Sequence, residues 1–198
     1  DLYDYETQAR EVETWNILHS QSAADLNVLT NLYDGLVEAD EYGKVVPAIA
    51  ESWETEDNGI TWTFHLREGV KWVDQNGNEK GEVTAQDFLT GLEWILNFHK
   101  NDAANTSMPM EMIVGAEDYY NMTSELDADA GFALTAESPE FADTVGIKAI
   151  DDYTLQYTCV SEKPYFDTLG VKLLYPISQG MIDEIGVDGF KAATPENI

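Results

Sequence analysis

The apolar residues between Asn58 and His99 change their period once, and that change commits the chain to a mixture of strand and helix. After the Asn58-Gly59 turn pair, Trp62, Phe64 and Leu66 alternate with polar neighbours, the two-residue repeat of a half-buried strand. Gly43 and Pro47 punctuate the stretch before it, so a hairpin or meander is expected there. A second turn cluster, Asp74-Gln-Asn-Gly-Asn-Glu79, follows Val70, Trp72 and Val73, and beyond it strand gives way to helix. Thr84-Ala-Gln-Asp87 has the form of a capping box with Asp in the Glu position. Phe88, Leu89, Leu92, Ile95, Leu96 and His99 then recur on one helical face.

The flanking segments continue the mixture. Residues 1–10 lack a period and read as a lead-in, with structure expected from about Thr14. Leu26, Leu29, Leu32, Tyr33 and Leu36 have helical spacing, with Ser22 or Asp25 as the cap and Gly35 as the stop. A further helix is expected from near Pro109, a solvated connection over 123–138, and a helix start at Ser138-Pro139-Glu140. The segments VGIKAI and YTLQYTCV, separated by Asp151-Asp152, predict a hairpin. Lys163-Pro164-Tyr165-Phe166 opens a helical turn, Tyr175-Pro176 breaks the chain, and Ser178 caps a last helix through Ile185. The fold class expected is α+β or mixed α/β.

Charge narrows the partners. Ten Lys plus Arg against 38 Asp plus Glu give a formal charge of -28, which repels a phosphate backbone and anionic lipid surfaces, so no nucleic acid partner is expected. The stretch 101–147 holds no Lys or Arg at all. The single cysteine, Cys159, cannot pair internally and sits in an apolar strand pattern, so it reads as core. No run approaches the ~18 apolar residues of a membrane span, and Asp1 without a charged, apolar leader predicts a processed or trimmed start.

Catalytic and metal chemistry find little support. His19, His65 and His99 have no local partners, and His65 falls on the face opposite Trp62, Phe64 and Leu66. There is no G-x-S-x-G nucleophile signature. The acidic loops starting at Asp74 and Asp127 superficially suggest calcium sites, but their twelfth positions are Ala85 and Ser138, which supply no closing carboxylate. No metal and no cofactor are therefore expected. Paired carboxylates for a hydrolase could be drawn from any of 38 acidic residues, which singles out none. Trp53, Trp62, Trp72 and Trp94 fall where periodicity predicts burial, whereas Trp15 suits a cleft wall or edge packing equally.

The stretch from Asn31 to Leu96 adds information that periodicity lacks. Its N-L-Y-D-G-L, P-A-I-A-E-S-W, W-T-F-H-L-R-E-G-V-K-W and T-A-Q-D-F blocks resemble, in order, the signature region of the ABC-transporter solute-binding proteins of the oligopeptide and dipeptide class, family 5. The VGIKAIDDYTLQYT and KPYFDTLG segments are also similar to this family, so the resemblance covers roughly residues 14–198. The V-D-Q-N-G-N-E-K insertion is similar to Gram-positive members.

The resemblance implies a periplasmic-binding-protein-like fold with an extra domain, and a non-catalytic receptor that delivers peptides to ABC permease subunits. It implies an amino-terminal piece of a longer protein, with the second lobe absent. Residues 1–31 and 171–198 would belong to ligand-clasping lobe I, and 32–170 to the additional domain. An apolar face left uncovered on the lobe pieces predicts self-association. The location implied is extracytoplasmic, as a Gram-positive surface lipoprotein or in a periplasm. Gln21, Ser22, Ala23, Ala24 and Asp25 match the family's loop that pairs with the ligand main chain, which gives affinity without sequence preference. A capped loop, with Ser22 or Asp25 as N-cap only, is the alternative reading. In the Asn105–Met110 turn some relatives place an aromatic that touches ligand, and this chain has the adaptable Met110 there, a second contact position by resemblance. Nickel, haem or oligosaccharide binding, a peptide-signal receptor and a carboxylate hydrolase are the alternative functions.

Overall fold

The computed structural model describes residues 11–20, 22–101, 105–169 and 174–195. The lead-in 1–10, Gln21 and the proposed boundary at Val171 lie outside the described residues. Along the chain run α1 (Ala23–Leu29), β1 (Val37–Ala39), β2 (Val45–Pro47), β3 (Ala50–Glu56), β4 (Thr61–Leu66), β5 (Lys71–Val73) and β6 (Glu79–Glu82). There follow α2 (Ala85–Leu96), α3 (Phe98–Asn101), α4 (Ser107–Met112), α5 (Ala116–Ser124), α6 (Ala128–Ala133) and α7 (Pro139–Ala142). The chain closes with β7 (Ile147–Asp151), β8 (Thr154–Thr158), α8 (Phe166–Leu169) and α9 (Gln179–Lys191).

The expected strand at Trp62 becomes the centre of an antiparallel sheet of order β3-β4-β8-β7, with Trp62 opposite Tyr157 and Phe64 opposite Leu155. The tight β3–β4 connection uses left-handed backbone at Asp57, Asn58 and Gly59, as an Asn-Gly turn demands. Trp62, Phe64 and Leu66 all point inward and are buried, each stabilising the fold by roughly 1.5–3 kcal/mol. The capping box forms as read: Thr84 caps α2, and its N–H donates to Asp87 Oδ2 at 2.8 Å. The Trp72 indole N–H donates to the same oxygen at 3.2 Å. Burial nevertheless pushes the Asp87 carboxyl above its ordinary value.

Helix α2 is the wall between two apolar cores. Phe88, Leu92 and Leu96 join the sheet residues, Tyr119, Phe141 and Phe166 in the larger core. Trp94 and Ile95 face a smaller core with Ile17, Leu18, Leu29, Tyr175, Ile177 and Phe190. Gly91 makes this wall thin: a Cβ there would stand 2.2 Å from the Tyr175 carbonyl oxygen. The backbone can therefore approach closely enough for the Ile177 N–H to donate to the Asp87 carbonyl at 2.9 Å.

Several boundaries differ from expectation, each for a local reason. Helix α1 stops at Leu29 rather than near Gly35, because Thr30 Oγ1 and Asn31 Nδ2 donate to the carbonyls of Leu26 and Asn27 and end the helix. Leu36 then belongs to the larger core and Leu29 to the smaller, so the apolar spacing spans two cores. The turn after Val73 closes a hairpin onto β6, which is almost wholly exposed and carries no apolar alternation. Asn97 leaves α2 with extended backbone, placing His99 on the separate α3. The helix expected near Pro109 begins at Ser107 and is cut from α5 by left-handed Gly115. The stretch 123–138 holds α6, whose Gly131 carbonyl takes a hydrogen bond from the Asn97 amide. Helix α9 continues past Ile185 through a kink at Gly186 to bury Phe190. Among the described residues, the exposed large apolar side chains run from Leu32 to Tyr165 and none falls in 11–31 or 174–195. The uncovered apolar face expected on those segments is not found there.

Candidate functional site

The segment that leads into α1 has almost no regular structure, yet three parts of the fold hold it. Asn16, fully buried, donates from its amide to the Phe190 carbonyl at 2.9 Å, while its own carbonyl accepts from the Leu18 N–H at 3.0 Å. The Trp94 indole N–H donates to His19 Nε2 at 2.8 Å. An indole nitrogen only donates, so Nε2 acts as the acceptor and the neutral ring carries its proton on Nδ1. The Asn105 amide donates to the carbonyls of Leu18 at 2.8 Å and Ser20 at 3.1 Å. These anchors come from α9, α2 and the turn before α4.

At the end of this segment Ser22 adopts extended backbone, φ -99 and ψ 127. Its hydroxyl accepts from the N–H groups of Ala24 at 3.2 Å and Asp25 at 3.5 Å, so Ser22, not Asp25, is the N-cap. The Asp25 carboxylate is buried and accepts the Glu13 N–H at 3.2 Å, directed into the protein. Ala23 is exposed and Ala24 half-buried. As the first residue of α1, Ala23 has an N–H without an intrahelical acceptor. Gln21 lies outside the described residues. Met110 sits on α4 rather than in a turn, half-buried and packed against the larger core. Trp15 is half-buried against the smaller core.

Over an apolar base, the Ser22 N–H donates to Ser20 Oγ, the Ser22 carbonyl accepts from the Leu26 N–H, and the Ala24 and Asp25 N–H groups donate to Ser22 Oγ, which leaves the Ala23 N–H as the main-chain donor directed out of the helix start beside small side chains. Burial pushes the Tyr33 phenol up to about 12, and burial together with the Asp34 carboxylate raises that of Tyr175, so both remain neutral. Among the described residues no three His, Cys, Asp or Glu side chains converge as metal ligands. Cys159 is buried just past β8, bridged to Ile113, and its thiol is pushed up to about 11 by that burial. His65 lies on the exposed face of β4 against the Glu54 carboxylate at 3.0 Å.

Comparison with known proteins identifies the frame. Residues 44–198 match the family described as bacterial extracellular solute-binding proteins, family 5 Middle. The chain belongs to family 5 of the bacterial extracellular solute-binding proteins. The oligopeptide-binding protein AliB of Streptococcus pneumoniae is 33% identical over 197 residues, covering 99% of this chain and 27% of AliB. OppA of Listeria monocytogenes bound to peptide superimposes with a TM-score of 0.75 at 25% identity, over 96% of this chain and 33% of that one. The substrate-binding domain of an oligopeptide ABC transporter from Bacillus anthracis gives 0.71 at 28% identity, over 91% and 31%. The chain thus spans between a quarter and a third of these relatives, and its mixed α/β architecture is periplasmic-binding-protein-like.

Sequence reasoning missed the anchors of the segment before α1. Asn16 carries a weak signal, an amide between Trp15 and Ile17-Leu18 that must find partners once buried. Asn105 and Trp94 carry none, because their partners lie 85 or more and 75 residues away. A second missed cluster joins Glu93, Asn97, Lys100 and Tyr119 beneath the helices, with Lys100 Nζ 2.7 Å from Glu93 Oε2.

Proposed function

We propose that this chain forms one wall of a peptide site in an extracytoplasmic substrate-binding protein of an ABC importer, recognising the ligand through main-chain groups of the 21–25 segment. The observation that carries the reading is the extended Ser22 at the mouth of α1, followed by the small Ala23 and Ala24 and reached through a segment held by Asn16, His19 and Asn105. A rigid, pre-formed edge lowers the ordering cost of adding an extended ligand strand. Met110, on the helix that Asn105 precedes, is a second contact. The oligopeptide-binding names of the relatives support the ligand class. On this reading residues 1–31 and 171–198 form part of a ligand-clasping lobe and 32–170 the additional domain; the smaller core gathers Ile17, Leu18, Leu29, Tyr175, Ile177, Ile182 and Phe190 of the lobe pieces, together with Tyr33, Trp94 and Ile95 of 32–170. The loaded protein delivers its peptide to membrane permease subunits from the cell surface, where a lipid anchor holds it, or from a periplasm. The site binds and releases without catalysis.

Isothermal titration of a pool of tri- to hexapeptides tests this, run on the full-length protein and on residues 1–198 alone. Binding by the full-length protein, and weaker binding by at least about a hundredfold (~2.7 kcal/mol) for 1–198, is expected for a site with two walls. A folded full-length protein that takes up none of the pool refutes peptide capture.

A further inference from the structure

We propose that Asn105 is a positioning residue that sets the entry to the 21–25 segment and the helix bearing Met110 in one fixed relation; this rests on the peptide reading above. Its amide group has two N–H donors, and both are used on the carbonyls of Leu18 and Ser20, at 2.8 and 3.1 Å. Leu18 and Ser20 are buried, so those carbonyls need partners supplied by the protein. The residue has left-handed backbone, φ 53, a conformation that Gly adopts freely and that Asn tolerates better than most side chains. Glycine would satisfy the backbone alone. Asparagine satisfies the backbone and carries the two donors across 85 and 87 residues of sequence.

Its position in the chain makes the contact more than a loop staple. Asn105 directly precedes Thr106, the N-cap of α4, whose carbonyl accepts the Met110 N–H at 3.1 Å. One side chain therefore links both candidate ligand contacts. The other anchors, Asn16 to Phe190 and Trp94 to His19, hold the segment against the smaller core but do not reach α4. Without Asn105 the segment keeps its base and loses its alignment to the second contact. Binding then weakens because the competent arrangement is populated only part of the time.

The test uses the full-length protein with Asn105→Gly, which retains the left-handed backbone and removes the donors, and Asn105→Asp, which keeps the shape but has no donor when ionised. Amide hydrogen exchange is read alongside titration with the tri- to hexapeptide pool. In both variants exchange across 18–26 is expected to quicken about tenfold or more while amides of β4 and β8 keep their protection. Apparent peptide affinity falls about tenfold, ~1.4 kcal/mol, and saturating peptide restores the lost protection. A merely structural role would lower global stability and protection together instead. Unchanged exchange in 18–26, or unchanged affinity in both variants beside a binding parent, overturns the positioning role. If the parent itself binds nothing, the peptide reading fails and the proposal with it, while exchange still reports whether the amide clamp exists.

Discussion

Replacing Lys100 with Met should cost the fold about 3–5 kcal/mol, most of it from stranding Glu93. Both side chains are almost fully buried, at 5% and 3% exposure, with the ammonium 2.7 Å from Glu93 Oε2. At that separation the attraction is about 6 kcal/mol for an effective dielectric of about 20. Desolvating two ions costs several kcal/mol each, so the intact pair contributes little net stability. Its surroundings close the remaining polar valences. Glu93 Oε1 accepts from Asn97 Nδ2 at 2.9 Å and from the Tyr119 hydroxyl at 2.8 Å, and Lys100 also donates to the Leu134 carbonyl. The ammonium lies 5.7 Å from the centre of the Trp94 ring. Burial, then the Glu93 charge, raises the Tyr119 phenol, which keeps it a donor at any ordinary pH. Lys100→Met removes the only charge that balances the carboxylate within this set, whereas Lys100→Met with Glu93→Leu removes both. Urea unfolding followed by circular dichroism measures each variant, with the slope m checked for constancy. The double variant should be more stable than the sum of the single losses predicts by at least about 2 kcal/mol. A Lys100→Met loss below about 1 kcal/mol, or additive single losses, would show that the pair is not a coupled buried unit.

Other expectations follow from single groups. The Tyr157 hydroxyl is buried in the sheet with no hydrogen-bond partner among the described residues, so Tyr157→Phe should leave stability unchanged or raise it by up to about 2 kcal/mol; a loss above about 1 kcal/mol in urea would reveal a partner. Gly91→Ala pushes a methyl into the Tyr175 carbonyl and should cost about 1–3 kcal/mol or more, measured as a lower urea midpoint with Ile177 losing amide protection. The Glu82 carboxyl is held at about 2, from an ordinary 4.5, by hydrogen bonds from Tyr153, the Gly69 N–H and Lys71. A depressed carboxylate stabilises the fold above the unfolded value and loses that contribution as pH falls from about 4.5 to about 2. Glu82→Gln should therefore lessen the fall in melting temperature across that window, and an unchanged pH profile would count against the assignment.

The elements that were legible are those whose cause is local. Trp62, Phe64 and Leu66 alternate because one face of β4 is buried, and Thr84 and Asp87 cap α2 from three residues apart. The boundaries that were misread turn on competition that periodicity does not register. At Thr30 and Asn31 side-chain donors take helix carbonyls, and at Gly115 a left-handed backbone divides two helices that share an apolar pattern. The site was the least legible part for a different physical reason. On the proposed reading, main-chain recognition selects small side chains at the contact, and small residues such as Ala23 and Ala24 carry no chemical signature. The residues that hold the segment, Asn16, Trp94 and Asn105, have partners far along the chain. A family resemblance reaches such a site because the ordered blocks around it preserve the frame, and the frame determines where backbone groups point. In a binding protein of this kind the place to look for ligand geometry is therefore the set of buried amides and indoles that take up backbone carbonyls and ring nitrogens. Two side chains that a reading for catalysis would single out lie elsewhere: His65 pairs with Glu54 on an open face, and Cys159 is buried just past β8.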